Sequence, residues 1–293
     1  MSQRLADYDR LKLEELNYNS YLKVPELTSL QHLRSEPMHH DEMFFIVIHQ
    51  SFELWFKEML HEVDLLAQNF VRGEVARSLK VLKRVQAIMT CLTQQIQLLG
   101  TLTPEEFAGF REALGTGSGF QSVQFREMEF ACGQRDPWFF QFFEARPEEK
   151  ARLEARFNSP SLYDFFLRAM ASEGFDVPKE VLNRDLNQTH QMNDNLVDLF
   201  QELYRDPGDH YHWLLAAEAL LDLDTEWSNF RSAHILMVSR TIGGKKGTGG
   251  SSGVPFLESR LPLRFFPELW EVRNSDWSSS TQTAKRDVGA GAD

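Results

Sequence analysis

The sequence predicts an all-α fold, a single-domain helical bundle whose helices pack around a shared core. Long segments carry apolar residues at spacings of three and four, and no stretch of any length alternates apolar and polar residues as a strand does. Apolar residues make up 42% of the 293, with 23 Phe, which is ample for one large core. We place the domain at residues 1–273 and expect residues 274–293, which are of low complexity, to form a disordered tail.

The first strongly apolar segment runs from Met43 to Leu66, and Asp41 is its expected N-cap. Because the segment is apolar on most sides, we expect this helix to be central and buried. His49 lies inside it, with Phe45 one turn before. A histidine in this setting is most often a hydrogen-bonded core residue, and its spacing alone gives it no other role.

A long helix is predicted over residues 78–99, where apolar residues repeat as they do along a bundle seam. Residues 103–106 (Thr-Pro-Glu-Glu) then form a strong helix start, with Thr as N-cap, Pro first and Glu third. The short helix that follows carries Phe107 and Arg111 on adjoining faces. An arginine among phenylalanines is costly to bury unless an anion meets it, and that anion is either a glutamate of the protein or a ligand.

Helical patterns continue to the end of the predicted domain. They cover residues 121–130, 160–171, 189–204 and 213–242, with an aromatic-rich stretch at 138–143 and a closing segment at 256–270.

His234 lies on an apolar face of the helix predicted over 213–242, with Phe230 and Val238 one turn away on either side. Gly243 is the expected end of that helix. The glycine-rich run at 243–253 has too little apolar content to pack itself, so we expect a mobile loop. The run lacks the Gly-Lys-Ser/Thr ending of a P-loop, which excludes that phosphate motif.

Charge and cysteine content narrow the classes of partner. The formal net charge of −12 argues against nucleic acid or an anionic membrane as a partner. Cys91 and Cys132 form no CxxC pair, which is typical of a reduced intracellular protein. The first residues have no apolar signal core, and no apolar run approaches the length of a membrane span. We therefore predict a cytoplasmic protein that binds a small molecule.

Several stretches, in order along nearly the whole chain, form one recognisable set. Two of them are long and specific: HQxxELWxK, which begins at His49, and KxGTGGSSG, which ends at Gly253. The full set comprises residues 18–22 (Tyr-Asn-Ser-Tyr-Leu), 40–57, 107–111, 118–126, 231–234 with 247–253, and 264–270 (Arg-Phe-Phe-Pro-Glu-Leu-Trp). Together they resemble the tryptophan 2,3-dioxygenase family, whose members are haem enzymes.

The resemblance implies a helical bundle around a b-type haem, active in its ferrous form with O2 as co-substrate. His234 would be the proximal ligand of the haem iron. Ser118 and Phe230 would lie near the haem. His49 would lie on the distal side, where it would act as the catalytic histidine by bonding the indole N–H or the bound oxygen.

The substrate residues follow from the same resemblance. Phe45 and Phe107 would wall the indole, and Arg111 would bind the carboxylate of the amino acid with both arms of its guanidinium. Thr248, with Gly247 beside it, would bind the ammonium and carboxylate groups from a loop that orders when substrate arrives. The implied reaction inserts both atoms of O2 across the indole C2–C3 bond of L-tryptophan and gives N-formyl-L-kynurenine, the first step of the kynurenine pathway.

The resemblance also implies an assembly. In the family the assembly is a homotetramer of paired dimers. Tyr18, Tyr21 and Leu22 would reach the active site of a neighbouring subunit, carried by an N-terminal segment at residues 1–38.

Three positions depart from the pattern of the family: Phe230 stands where Trp is common, Asn19 where Gly is usual and Ile48 where a polar residue is common. They motivate one alternative enzyme, a haem oxygenase that inserts a single oxygen atom into a substituted indole. A second alternative is a haem-binding sensor in which both His49 and His234 ligate the iron.

Overall fold

The computed structural model describes residues 16–277, and every regular element in that range is helical. This confirms the predicted all-α class. The α-helices are α1 Tyr18–Leu22, α2 Val24–Leu27, α3 His40–Val71, α4 Val75–Leu99, α5 Pro104–Arg111, α6 Val123–Ala131, α7 Pro147–Phe157, α8 Leu162–Glu173, α9 Lys179–Leu182, α10 Asp194–Arg205, α11 Tyr211–Ile242, α12 Val254–Ser259 and α13 Pro267–Glu271. Short 3₁₀ turns cover Glu112–Leu114, Gly119–Gln121, Pro137–Phe143, Gly208–His210 and Val272–Asn274.

Helices α3, α4 and α11 form the centre of the bundle, with α4 packed against the other two. Each contributes fully buried apolar side chains to one core: Leu66 from α3, Leu82 and Leu92 from α4, and Leu220 and Leu223 from α11. The two longest helices, α3 and α11, carry His49 and His234. The core therefore holds both histidine-bearing helices in fixed positions.

Helix α3 begins earlier than the sequence predicted. The expected N-cap Asp41 is wrong, because His39 caps the helix and its Nδ1 accepts the backbone N–H of Asp41 at 3.3 Å. The buried Glu42 carboxylate accepts the backbone N–H groups of Arg34 and Ser35, so the incoming chain is fixed where it enters the helix.

Helix α5 confirms the start predicted at residues 103–106. Thr103 accepts the backbone N–H of Glu106, and the Glu106 side chain bonds back to Thr103, which is a capping box. Helix α11 ends at Gly243, as predicted, with a left-handed φ of 59°. These two helix ends fix the positions of Arg111 and of the glycine-rich run.

The C-terminal end of the described chain still packs on the fold. Trp277 lies 6.2 Å from the Tyr204 ring, centroid to centroid. The remaining residues of the predicted tail, 278–293, and the N-terminal residues 1–15 lie outside the described residues, so the predictions for them stay predictions. None of the helices within 16–277 has the length and apolar character that crossing a membrane requires.

Candidate functional site

His234 is half-buried on α11, with its ring stacked at 6.3 Å from the ring of Phe230 one turn before. Burial lowers the pKa of His234 to about 4, and the charge of Arg126 and that of His49 in its protonated form add to the effect. The imidazole is therefore neutral at neutral pH and keeps a nitrogen lone pair. A neutral imidazole is the form that ligates a metal.

His49 on α3 has a defined tautomer. Its Nδ1 lies 2.7 Å from the carbonyl oxygen of Phe45, which is only an acceptor, so Nδ1 carries the proton and donates it. The Nε2 atom is left as an acceptor. Burial lowers the pKa of His49, opposed by the Phe45 carbonyl and the charge of Glu53. The ring nevertheless has an exposed surface.

Aromatic rings connect the two histidines across the bundle. The ring of Phe52 lies 5.9 Å from that of His49 and 6.4 Å from that of Phe230. The two imidazoles are also close enough for the charge of His49 to lower the pKa of His234. The structure thus brings His49 and His234 to one place, one from each of the two longest helices.

The predicted indole residues lie on the His49 side. The Phe45 ring is 4.0 Å from the His49 ring and 5.9 Å from that of Phe107 on α5. The guanidinium of Arg111 follows, 6.0 Å from the Phe107 ring centroid. A flat apolar group beside His49 would therefore meet two phenyl rings and have a cation at its edge.

Arg111 is half-buried, and its Nη2 donates to the backbone carbonyl of Lys246 at 2.6 Å. The glutamate partner considered from the sequence is thus replaced by a neutral carbonyl of the glycine-rich run. A second bond holds the same run, because Thr248 Oγ1 donates to the Gly117 carbonyl at 2.6 Å. Arg111 and Thr248 therefore lie at one edge of the site.

The glycine-rich run is folded tightly on itself and against its neighbours. Gly247 donates its backbone N–H to the Ser251 carbonyl at 3.3 Å, which closes a turn. A Cβ added to Gly249 would lie 2.5 Å from Oγ of Ser118, so only glycine allows this approach. The run therefore reaches Ser118, and the predicted residues Gly247, Thr248 and Ser118 are brought together.

The N-terminal residues of the predicted site behave differently. Tyr18, Tyr21 and Leu22 on α1 are 74%, 70% and 45% exposed, so they are not packed into the core of their own chain. The structure of one chain does not bring them to His49.

Two of the groups in the site could not be predicted from the sequence. These are the backbone carbonyls of Gly117 and Lys246, which hold Thr248 and Arg111. A carbonyl acceptor is present at every residue, so no side-chain pattern marks it. Arg126, which acts on His234 from α6, was also missed as a site residue, although it lies in a stretch that resembles the family.

No cluster of three or more metal-binding side chains occurs within residues 16–277.

Comparisons with known proteins agree on one family. The family model described as tryptophan 2,3-dioxygenase matches residues 6–145 and 197–275. A protein named tryptophan 2,3-dioxygenase from Xanthomonas euvesicatoria pv. vesicatoria (strain 85-10) is 43% identical over 260 residues, covering 89% of this chain and 87% of that protein. Proteins of the same name from Arthrobacter sp. (strain FB24) and Xanthomonas oryzae pv. oryzae (strain PXO99A) are 43% and 42% identical, over 88% and 89% of this chain and 91% and 88% of their own lengths.

Proposed function

This chain belongs to the tryptophan 2,3-dioxygenase family, and we propose that it inserts both atoms of O2 across the indole C2–C3 bond of L-tryptophan to give N-formyl-L-kynurenine. One observation carries the proposal: a neutral His234 and an acceptor His49 are linked through the rings of Phe52 and Phe230, with two further phenyl rings and Arg111 on the His49 side. Family membership indicates an oxidoreductase. The names of the relatives do not favour single-oxygen insertion into a substituted indole.

The family implies a b-type haem, and the residues around His234 fit one. The neutral His234 imidazole keeps a nitrogen lone pair and would hold the iron of such a group, and Phe230 beside it would contribute an apolar contact. Where Gly249 approaches Ser118, an added Cβ would lie 2.5 Å from the Ser118 Oγ, so the run has no room for a side chain beside this proposed haem residue. When bound, ferrous haem supplies the chemistry that activates O2.

His49 orients the indole. With Nδ1–H donating to the Phe45 carbonyl, its Nε2 lone pair is free to accept the N–H of an indole lying against the edge that Phe45 and Phe107 form. The two rings are 5.9 Å apart by centroid, so they form an apolar edge and not a sandwich around the substrate. An indole held by one N–H bond and one aromatic wall has a defined face and direction.

Arg111 and Thr248 recognise the amino acid part of the substrate. The guanidinium is matched to a carboxylate, which would replace the neutral Lys246 carbonyl as its partner. The Thr248 hydroxyl, now donating to Gly117, would accept from the ammonium group. The glycine-rich run would then close over the substrate and exclude water.

A homotetramer completes the proposal. Tyr18, Tyr21 and Leu22 leave apolar surface exposed on a five-residue helix, and a neighbouring subunit is the proposed cover for it. The N-terminal segment 1–38 would then contribute these side chains to the adjacent site. The cytoplasmic location stays a prediction.

An absorption spectrum of the purified ferrous protein, followed by aerobic addition of L-tryptophan, tests the proposal. We expect a haem Soret band and growing absorbance of N-formylkynurenine. A Soret band without that product would contradict the substrate assignment. A protein that takes up no haem on supplementation would contradict the function as a whole.

A further inference from the structure

Three charged side chains lie buried together beside His234. Glu129 on α6 pairs through one carboxylate oxygen with Arg126 Nη1 at 2.5 Å, and its other oxygen lies 3.4 Å from Arg231 Nη2. Arg231 also donates to the Leu263 carbonyl at 3.1 Å. We call Arg126, Glu129 and Arg231 the proximal charge cluster. The cluster links α6 to α11 at the helical turn that precedes His234.

The cluster is desolvated. Arg126, Glu129 and Arg231 are 6%, 3% and 7% exposed. The guanidinium of Arg126 lies 4.0 Å from the Phe139 ring centroid and 4.5 Å from that of Phe125, and its Nε has no hydrogen-bond partner among the described residues. Burying a charged arginine with an unpartnered Nε costs desolvation free energy, which indicates that the charge has a role besides stabilising the fold.

The cluster holds one positive charge in excess, because two arginines share a single carboxylate and arginine stays protonated in proteins. Arg260 and Asp136, which also act on Arg126, pair with each other at 2.9 Å and largely cancel. The buried Asp224 also acts on Arg231, but it precedes His234 by ten residues, roughly 15 Å along the helix axis.

The excess charge is close to His234. Arg231 precedes His234 by three residues on α11, about 4.5 Å along the helix axis. A chain of ring contacts links Arg126 to His234. The Arg126 guanidinium lies over the Phe125 ring, that ring is 6.0 Å from the Phe230 ring, and Phe230 stacks on His234. At low dielectric, a fixed charge at this range interacts strongly with any charge that develops at the ligand.

We propose that the proximal charge cluster sets the reduction potential of the iron bound by His234, by favouring its ferrous state. Reduction lowers the positive charge at the iron, so a buried positive charge nearby repels the ferric state more than the ferrous state. This inference rests on the proposed function. It makes Arg126, Glu129 and Arg231 positioning and tuning residues, which act on the iron through their field and not by touching substrate.

A spectroelectrochemical titration of the full-length haem protein tests the sign of the effect. Arg126→Met removes the excess charge and is expected to lower the midpoint potential. Glu129→Gln, which preserves shape, leaves two unbalanced arginines and is expected to raise it. The double variant R126M/E129Q restores one excess positive charge and is expected to return towards the wild-type value.

The matched control is Arg77→Met. Arg77 on α4 pairs with Glu74 at 3.0 Å, and its side chain is 76% exposed, so solvent screens its charge. We expect the potential of this variant to equal that of the wild type.

The outcomes separate the inference from the function on which it rests. Shifts of the same sign in R126M and E129Q, or no shift in either, with an intact Soret band overturn the inference alone. If Arg126→Met does not fold, the sign of the shift in the isosteric Glu129→Gln decides it. A wild-type protein without a Soret band overturns the proposed function and the inference together.

Discussion

The orientation of the His49 ring depends on one hydrogen bond, from Nδ1 to the Phe45 carbonyl four residues earlier on the same helix. Because the acceptor is part of the backbone, a side-chain substitution at position 45 cannot remove it. The bond leaves Nε2 as the atom that would accept the indole N–H in the proposed function, and the lowered pKa keeps the ring neutral at neutral pH. A protonated His49 would present a second N–H to the indole N–H, and the two donors would repel each other.

This gives a pH dependence with a defined sign. The pKa of His49 lies below the ordinary value of 6.5, so kcat/KM for L-tryptophan should be level above that pH and fall as pH drops through the shifted pKa. In His49→Gln, whose amide accepts without titrating, the acid limb should disappear. His49→Ala should lose about 1–3 kcal/mol of transition-state binding. An unchanged acid limb in His49→Gln would show that another group titrates.

Arg111 gives a test of substrate class. Arg111→Ala should weaken use of L-tryptophan by about 2–4 kcal/mol in kcat/KM, because a charged bond to the carboxylate is lost. Tryptamine, which has the indole but no carboxylate, is the matched control substrate. Its use should change little in the same variant, and equal losses for both compounds would mean that Arg111 does not bind the carboxylate.

At the scale of elements, the periodic segments were predicted well and the irregular ones were not. The helix predicted over 78–99 is α4, Val75–Leu99, because its apolar period is uninterrupted. The helix predicted over 189–204 begins only at Asp194. Before it, Thr189 accepts the backbone N–H of Arg135, and His190 Nε2 lies 2.6 Å from the Glu268 carboxylate. Those hydrogen bonds to distant residues hold 189–193 outside the helix. Because the partners are far away in the chain, the local sequence does not indicate them.

The closing segment shows the same limit. Residues 256–270 were expected to pack back as one segment, and they do so as parts of two short helices with an irregular stretch between. There the buried Asp224 carboxylate accepts the backbone N–H of Phe265 and the indole N–H of Trp270, both at 2.9 Å. In this stretch the Asp224 carboxylate takes the place of the backbone acceptors that a regular helix would provide. These hydrogen-bond donors lie 41 and 46 residues away in the chain, so they could not be predicted from the local sequence.

The glycine-rich run yields a prediction at this scale. Gly249→Ala should raise KM for L-tryptophan by about 5- to 30-fold, equivalent to about 1–2 kcal/mol, because its Cβ would meet Ser118 and lift the run away from Arg111. Gly244→Ala is the control, since its added Cβ would meet nothing within 4 Å. Equal KM values for the two variants, measured by steady-state kinetics, would contradict a closed position of the run during turnover.

For the whole molecule, family and fold could be predicted from long motifs and helical periods, whereas the meeting of α3, α5 and α11 could not. His49 and Arg111 are 62 residues apart, and Arg111 and Lys246 are 135 apart. Such contacts follow from how the core packs and not from local sequence. The oligomeric state does not follow from the structure of one chain. The exposed Tyr18 and Tyr21 show only that their own chain leaves them uncovered.

Light scattering on the purified protein should give the mass of a tetramer. The double variant Tyr18→Ser/Tyr21→Ser should shift the distribution towards smaller species and weaken turnover, because it removes apolar surface at the proposed contact. Its haem spectrum should stay unchanged. A monomeric wild type with full activity would contradict the exchange of N-terminal segments.

The measurement that tests the central claim most directly is mass analysis of the product formed from L-tryptophan under isotopically labelled O2 in ordinary water. Insertion of both oxygen atoms across the C2–C3 bond predicts a formylkynurenine that carries two labelled oxygens when analysed before exchange with solvent. A product with only one labelled oxygen under those conditions would contradict dioxygenation. It would instead support single-oxygen insertion by the same site.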